Sequence, residues 1–484
     1  MINYKKYFDN KKITKQGFGI LGRSLGVVKF LLKNNAELLV TDMKDESFFT
    51  DQILEIENFM KENNISKDKI KYVFGKHEKD DFLNCDYVIQ ASGVPKDNIY
   101  LKYSRENSIP VYQESSLFLK IVQDFNENLD EESKIKVVTV TGTRGKTTTT
   151  QLIYKILKDN LKDRNVYLGG NIQGISTIEL LENVKEKDII VMETDSWLAQ
   201  GFKDIKFAPK VSIFTNLMRD HMNYYKDNMS DYFSDKAQTF LYQNQNDVLI
   251  SDNNFQDCIE KYLNEEFKDI YKNSNSKKVF LSEDDIRNDE EIYKSLLIGI
   301  HNRLNISFSV RTAKEFNITD ENIQKSVLEF NGVDGRLQFV KEENGMKYYN
   351  DTTATTGEAT IAAINALKLQ NSKNGKLILI TGGTDKELEI ENYTEKLISE
   401  KRSEFIKEII FLLDDSTTGT KKVLEKMKES NFEEYKLAET LEKAVSLAKE
   451  LSSDGDVILF SPGFASFGMF LNEYDRGEKF LKLI

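Results

Sequence analysis

At 484 residues the chain exceeds what one hydrophobic core supports, so roughly two to four domains are expected. It is 39% hydrophobic and 30% charged with a net charge of -12, a soluble globular composition whose acidity argues against nucleic-acid or anionic-membrane partners. With two cysteines, Cys85 and Cys258, no apolar leader at the N-terminus and no run near the roughly 18 apolar residues of a membrane span, the expected compartment is a reducing cytoplasm.

Short apolar runs alternate with helical patterns along the chain, which predicts an α/β class with parallel sheets. The first segment opens on Gly17-Phe18-Gly19-Ile20-Leu21-Gly22, and Val40-Thr41-Asp42 follows it. Glycines at this spacing permit a tight β–α turn and the close approach of a phosphate, while an acid at the next strand end reaches a ribose hydroxyl. Taken alone, the motif fits a plain tight turn as well.

The second segment carries the most specific motif. Lys136–Val140 reads as a strand, and Thr141-Gly142-Thr143-Arg144-Gly145-Lys146-Thr147-Thr148 as a phosphate loop. Leu152, Ile153, Ile156 and Leu157 then form one apolar face of a helix. Strand, glycine loop and helix in this order aim backbone N–H groups at a phosphate chain. Lys146 is expected on the β/γ phosphates and the Thr147 hydroxyl on Mg2+. The spacing is not the full Walker pattern, since Val140 stands where its first glycine belongs. Further on, Asn216-Leu217-Met218-Arg219-Asp220-His221 follows the apolar strand Val211–Phe214, Lys236 lies beyond it, and His301-Asn302-Arg303-Leu304-Asn305 opens another helix.

The third segment holds buried-strand candidates at Leu377–Ile380, Ile409–Leu413 and Val457–Phe460. The outer two run into small-residue loops, Thr381-Gly382-Gly383-Thr384-Asp385-Lys386 and Ser461-Pro462-Gly463-Phe464-Ala465-Ser466. Ligands of parallel α/β sheets bind at such strand ends.

In chain order these motifs resemble the Mur ligases. The resemblance also takes in Ser92-Gly93-Val94-Pro95, Gly169-Gly170-Asn171, Glu193–Ser196, Gly335-Arg336, Asn350–Thr355 and Ser461–Gly477, and so covers nearly the whole chain. It implies three domains: a Rossmann-like domain over 1–113 for a UDP-linked substrate, a central P-loop ATPase-type domain over 114–331, and a Rossmann-like domain over 332–484 for the incoming amino acid. It further implies the branch that joins D-glutamate to UDP-N-acetylmuramoyl-L-alanine in peptidoglycan precursor synthesis, as an ADP-forming, cytoplasmic, monomeric enzyme.

Residue by residue, the resemblance places ATP on Gly142, Thr143, Arg144, Gly145, Lys146, Thr147 and Thr148, with Asn302 and Asn305 at adenine-contact positions and Arg336 and Asp351 reaching the phosphates and ribose. Thr147 and Glu193 would hold one Mg2+, and His221 with a carbamylated Lys236 a second; Lys146, His221 and Lys236 form the implied catalytic set. Ile20, Leu21, Asp42, Met43, Lys44 and Gly93 fall where the family holds uridine diphosphate, Asn171 on the substrate side, and Thr355, Lys386, Ser466 and Phe467 around the amino acid. In that setting the glycine turn serves UDP rather than NAD.

The chemistry accords with these residue types. Amide formation from a free carboxylate needs a leaving group, which ATP supplies as an acyl phosphate, and the transferring phosphoryl group is stabilised by positioning and charge. An unmodified ammonium beside a cation is repelled, whereas CO2 addition converts a lysine into an oxygen anion that a hard metal accepts. Some positions depart from the commonest pattern of the branch: Arg144 in the phosphate loop, Asp195 and Trp197 after Glu193, Thr353 where lysine is common, and Glu473 where an aromatic residue often lies. Glu473 is expected to face solvent or to pair with Arg476. The changes near the acceptor pocket keep open a family member adding another amino acid, or a poly-γ-glutamate synthase-like ligase. A nicotinamide-dependent oxidoreductase would use Gly17–Gly22 and Asp42 but leave the phosphate loop and the later motifs idle.

Overall fold

Three sheets carry the chain in the computed structural model, which describes residues 2–19, 23–91, 93–95, 97–172, 174–370, 375–387 and 389–484. The first is built from β1 (Lys12–Gln16), β2 (Glu37–Asp42), β3 (Ile70–Phe74), β4 (Tyr87–Gln90) and β5 (Val111–Gln113) in the order β3-β2-β1-β4-β5. Every pairing in it is parallel. Parallel neighbours need crossovers that cover the sheet faces, and for this reason β4 is buried along its whole length. The order reverses beside β1, and the crevice this opens at the C-terminal strand ends is where such sheets bind ligands.

The second sheet comprises β6 (Lys136–Thr141), β7 (Val166–Gly170), β8 (Ile189–Glu193), β9 (Val211–Phe214), β10 (Val248–Asp252) and β11 (Lys277–Leu281), in the parallel order β11-β10-β9-β6-β8-β7. The third comprises β12 (Gln338–Glu343), β13 (Met346–Asn350), β14 (Leu377–Thr381), β15 (Ile406–Leu412), β16 (Lys436–Ala438) and β17 (Val457–Phe460), ordered β12-β13-β17-β14-β15-β16. Only its β12–β13 pair is antiparallel. Asn344 and Gly345 join those two strands with φ of +52° and +76°, the left-handed pair that a tight hairpin demands and that an Asn-Gly dipeptide supplies.

These sheets divide between two compact units, Met1–Asn288 with Asn305–Ile323, and Asp289–Leu304 with Gln324–Ile484. The first unit contains two sheets because they share one core. Helix Glu114–Asn126 buries Leu117, Phe118, Leu119, Ile121 and Val122 in a cluster that takes in Ile13 and Val28 from the first sheet's layer and Ile190, Met192 and Phe202 from the second's. Each such side chain contributes about 1.5–3 kcal/mol on burial, so the helix joins the two layers firmly. In the second unit the third sheet is packed on both faces by separate apolar clusters, one around Leu377, Leu379 and Phe411, the other around Ile378, Ile380 and Ile458. Among the described residues no helix is long and apolar enough to cross a membrane.

Candidate active site

The phosphate loop leaves the C-terminal end of β6 and enters helix Lys146–Asn160, whose Leu152, Ile153, Ile156 and Leu157 are buried as the periodicity predicts. Two glycines make the loop feasible. Gly142 has φ +137°, and a Cβ there would lie 2.1 Å from Thr215 Oγ1. Gly145 has φ +82°, and its Cβ would meet Asn305 Oδ1 at 2.5 Å.

Residues after β9 hold the loop in place. The Thr143 N–H donates to Asn216 O at 2.9 Å, the Arg144 N–H to Asn216 Oδ1 at 2.9 Å, and the Thr215 hydroxyl to Arg144 O at 2.6 Å. The Lys146 ammonium donates to the carbonyls of Gly142 at 3.2 Å and Thr143 at 2.9 Å. Thr147 is half-buried and Thr148 buried, while Arg144 is exposed with its guanidinium 3.5 Å from Asp220.

Lys236, on helix Met229–Ala237, is only 1% exposed, and its Nζ donates to the same Gly142 carbonyl at 2.7 Å. Burial first, and the neighbouring Lys146 second, hold its pKa well below the ordinary lysine value, against the pull of Asp195, Asp220 and Asp235. His221 lies on the same side. Its backbone adopts φ +56°, a conformation that non-glycine residues rarely take and that is concentrated at functional sites. The ring stands edge-on to Trp197 with centroids 4.4 Å apart, and Nε2 is 3.8 Å from Asp220 Oδ2. Burial lowers its pKa below the usual histidine value, against the pull of Asp220.

Glu193 ends β8 beside β6 and is buried, and its Oε2 has no hydrogen-bond partner among the described residues. The nearby Thr141 and Thr194 hydroxyls share that condition. Buried polar atoms are nearly always satisfied, so an orphaned carboxylate oxygen at a strand end fits a cation as its missing partner. The donors on offer are a carboxylate, an imidazole, the Thr147 hydroxyl and a lysine; among the described residues no trio of His, Cys, Asp or Glu stands at metal-ligating spacing. The Asn171 N–H donates to Glu193 O at 2.7 Å, which places Asn171 beside this group. Asn305 is buried against the loop and accepts from Thr149 Oγ1 at 3.2 Å, so its amide lies beneath the phosphate loop.

At the first sheet's crevice, Asp42 accepts from the Phe18 N–H at 2.9 Å and the Lys44 N–H at 3.0 Å. Its half-buried carboxylate therefore clamps the start of the glycine turn. Met43 and Lys44, next to it in the chain, are exposed, as is Gly93 in the loop after β4. Ile20, Leu21, Gly22 and Ser92 lie outside the described residues.

In the second unit three loops converge beyond the ends of β13, β17 and β14. The Gly463 N–H donates to Ala354 O at 2.9 Å, the Gly382 N–H to Pro462 O at 2.9 Å, and Thr384 exchanges two backbone bonds with Ala465. Together they bring Thr355, Lys386, Ser466 and Phe467 into one cluster of loops; Lys386 and Phe467 are exposed, Ser466 is buried. Asp351 accepts from Ser461 Oγ at 2.7 Å and the Leu337 N–H at 2.9 Å, and burial raises its pKa to about 7. Arg336 is exposed, and Asn302 is buried with its Nδ2 donating to Ile298 O at 2.8 Å.

Of the two placements expected for Glu473, solvent or a pair with Arg476, no ion pair with Arg476 is found among the described residues, and Glu473 is half-buried. Arg476 is instead fully buried, with Nη2 and Nε on Thr352 O and Oγ1 at 2.6 and 3.2 Å, and Nη1 on Phe464 O at 3.1 Å. Its planar fork matches two carbonyls and a hydroxyl on two loops, and Glu473 acts on it only as a nearby charge. Sequence reading also missed the contact between Trp197 and His221, since a single aromatic residue carries no periodicity to announce it.

Residues 140–322 match the family model described as Mur ligase middle domain, and 335–464 that of Mur ligase, glutamate ligase domain. A UDP-N-acetylmuramoylalanine–D-glutamate ligase of Borreliella burgdorferi is 33% identical over 97% of this chain and 96% of its own length. One of Clostridium tetani bearing the same name is 29% identical over 99% and 98%. Among solved structures, the MurF ligase of Thermotoga maritima in complex with ADP superposes with a TM-score of 0.57 at 16% identity, covering 100% of this chain and 96% of that one. With catalytic motifs, sheet architecture and near full-length likeness in agreement, the chain belongs to the Mur ligase family.

Proposed function

We propose that this chain is an ATP-dependent, ADP-forming ligase that joins D-glutamate to UDP-N-acetylmuramoyl-L-alanine in peptidoglycan precursor synthesis. The observation that carries the reading is the convergence of Lys146 and Lys236 on the Gly142 carbonyl, within the set that includes Glu193 and His221. The relatives' shared name supplies the substrates.

Helix Lys146–Asn160 and the loop amides receive the ATP phosphates, and Lys146 moves from loop carbonyls to β/γ oxygens. The substrate carboxylate attacks the γ-phosphorus, ADP leaves, and the resulting acyl phosphate is attacked by the amino group of the incoming amino acid, releasing phosphate. Bound Mg2+ neutralises charge on the transferring phosphoryl group. Thr147 and Glu193 would hold one ion, His221 and Lys236 the other. Lys236 suits that role as a carbamate: burial and the neighbouring Lys146 favour its neutral amine, the form that adds CO2 and sheds a proton, and the product offers oxygens where an ammonium would repel. Asn171 is assigned to the UDP-substrate, as are Asp42, Met43, Lys44 and Gly93 around the first sheet's crevice.

For the acceptor, Lys386 supplies a cation to a carboxylate of D-glutamate while Ser466 and Thr355 donate short hydroxyl bonds, with Phe467 alongside. The test is phosphate release from ATP with a panel of UDP-muramyl precursors and amino acids. Turnover restricted to UDP-N-acetylmuramoyl-L-alanine with D-glutamate is the expected result. AMP and pyrophosphate as products overturn the acyl-phosphate route, and preference for a basic or neutral amino acid overturns the acceptor.

A further inference from the structure

A lysine stands in the middle of the first sheet where an apolar side chain would pack at less cost. Lys15 belongs to β1, the strand at the topological switch, and is 2% exposed. Its Nζ donates to Gly17 O at 2.7 Å and to Gln16 O at 3.3 Å. The peptide that follows is anchored at its other end too, because the Phe18 N–H donates to Asp42 Oδ2 at 2.9 Å. Gly17 O and Phe18 N belong to one planar peptide unit, so a cation on the carbonyl and an anion on the N–H fix the orientation of that plane.

The plane is the first of the glycine turn. Gly17 and Gly19 take φ of +79° and +69°, and a Cβ on Gly17 would stand 2.8 Å from that of Ala91, so the turn is both strained for other residues and pressed against the loop after β4. A turn rich in left-handed glycines is flexible when unsupported, and only specific bonds hold it in one shape. Two acids balance the buried ammonium, Asp42 and Glu114, the second of which accepts from Ser176 Oγ at 2.9 Å and the Ile178 N–H at 3.0 Å in the second sheet's layer. Burial draws the Lys15 pKa down to about 8 despite the opposing pull of Glu114 and Asp42.

We infer that Lys15 is a positioning residue for the nucleoside diphosphate site: with Asp42 it brackets the Gly17–Phe18 peptide and holds the Gly17–Gly19 stretch in the shape that receives the diphosphate of the UDP-linked substrate. The inference rests on the proposed function only for the identity of that ligand. It predicts that loss of Lys15 weakens the nucleotide-sugar site and leaves the ATP site alone, since the phosphate loop is held by Thr215 and Asn216, after β9.

The experiment measures binding of uridine diphosphate by calorimetry, and KM for each substrate, in the full chain and its Lys15→Met and Lys15→Gln variants. Lys15→Met is expected to weaken uridine diphosphate binding and raise KM for the UDP-substrate at least tenfold, with KM for ATP within twofold. Lys15→Gln, which keeps a donor for the Gly17 carbonyl, is expected to recover part of the loss. Adding Asp42→Asn to Lys15→Met should cost much less than the two single effects combined, because both act on one peptide. Folded Lys15→Met that binds uridine diphosphate as the wild type does overturns the inference. Failure of both Lys15 variants to fold also overturns it, in favour of a purely structural lysine. A wild-type chain that does not bind uridine diphosphate removes the ligand assignment itself, a separate outcome.

Discussion

Replacing Arg476 by methionine separates two loops that the guanidinium ties together. The side chain makes three hydrogen bonds, two to Thr352 and one to Phe464 O, inside a site where it is fully buried. Bonds from a charged donor are worth about 1.5–3 kcal/mol each, so removing all three costs roughly 5–9 kcal/mol in gross terms. Against that stands the desolvation of the guanidinium, whose pKa burial pushes down to about 10. A shift of that size corresponds to about 3 kcal/mol that Arg476→Met recovers. The net loss is therefore about 2–6 kcal/mol, a large fraction of a domain's stability. Scanning calorimetry should show the transition of the unit carrying the third sheet falling by roughly 5–15 °C. Because Thr352 adjoins the Asp351–Thr355 loop and Phe464 the Ser461–Ser466 loop, KM for the amino acid should rise more than KM for the UDP-substrate. Arg476→Lys, with a point charge that cannot serve both loops, should fall between. An Arg476→Met protein with unchanged midpoint and unchanged KM for the amino acid would refute the reasoning.

Lys146→Ala should reduce phosphoryl transfer on the order of 100-fold or more in a folded protein, because the loop has no other lysine to replace its charge on the phosphates; near-normal turnover counts against the assigned loop. Stripping CO2 from the buffer should lower activity and added bicarbonate restore it, whereas Lys236→Ala should be inactive under both conditions; insensitivity of the wild type to CO2 removes the carbamate. Asp351, with a folded pKa near 7, contributes stability fully present below the ordinary aspartate pKa and lost as pH rises through about 7. Asp351→Asn has no such titration, so its stability relative to wild type should grow by about 4 kcal/mol between pH 4 and pH 8 in urea unfolding, and a pH-independent difference contradicts the raised pKa. Trp197 is the chain's one tryptophan and its ring is 4.4 Å from His221. Its emission should change on adding Mg2+ with a non-hydrolysable ATP analogue, and His221→Ala should abolish the change; a response that survives His221→Ala places the ion elsewhere.

Much of this molecule is legible in the chain because its determinants are local. The phosphate loop is a contiguous run whose glycines must take positive φ wherever they occur, and β6 and β9 are short apolar runs that any parallel sheet would bury. The Asn344-Gly345 hairpin is likewise a dipeptide property. Order of motifs, strand identity and the assignment of Lys146, Glu193, His221 and Lys236 to one chemistry follow from such runs and from likeness to a family.

What tertiary structure decided depends on burial and on partners distant in sequence. No pattern in the chain says that Lys236 is sealed from solvent beside Lys146, yet that environment is what draws its pKa well below the ordinary lysine value. Arg476 looks like a surface residue of a charged terminal helix until the loops at Thr352 and Phe464 close around it. Asp42 was readable as an acid at a strand end, but not as the clamp on Phe18, and Lys15 gave no signal beyond being a lysine in a strand. Local propensity sets the backbone's path, whereas the charge state and hydrogen bonding of a side chain are set by whichever groups the completed fold brings against it, and those lie far along the chain: Thr352 for Arg476 at a separation of 124, and Gly142 for Lys236 at 94.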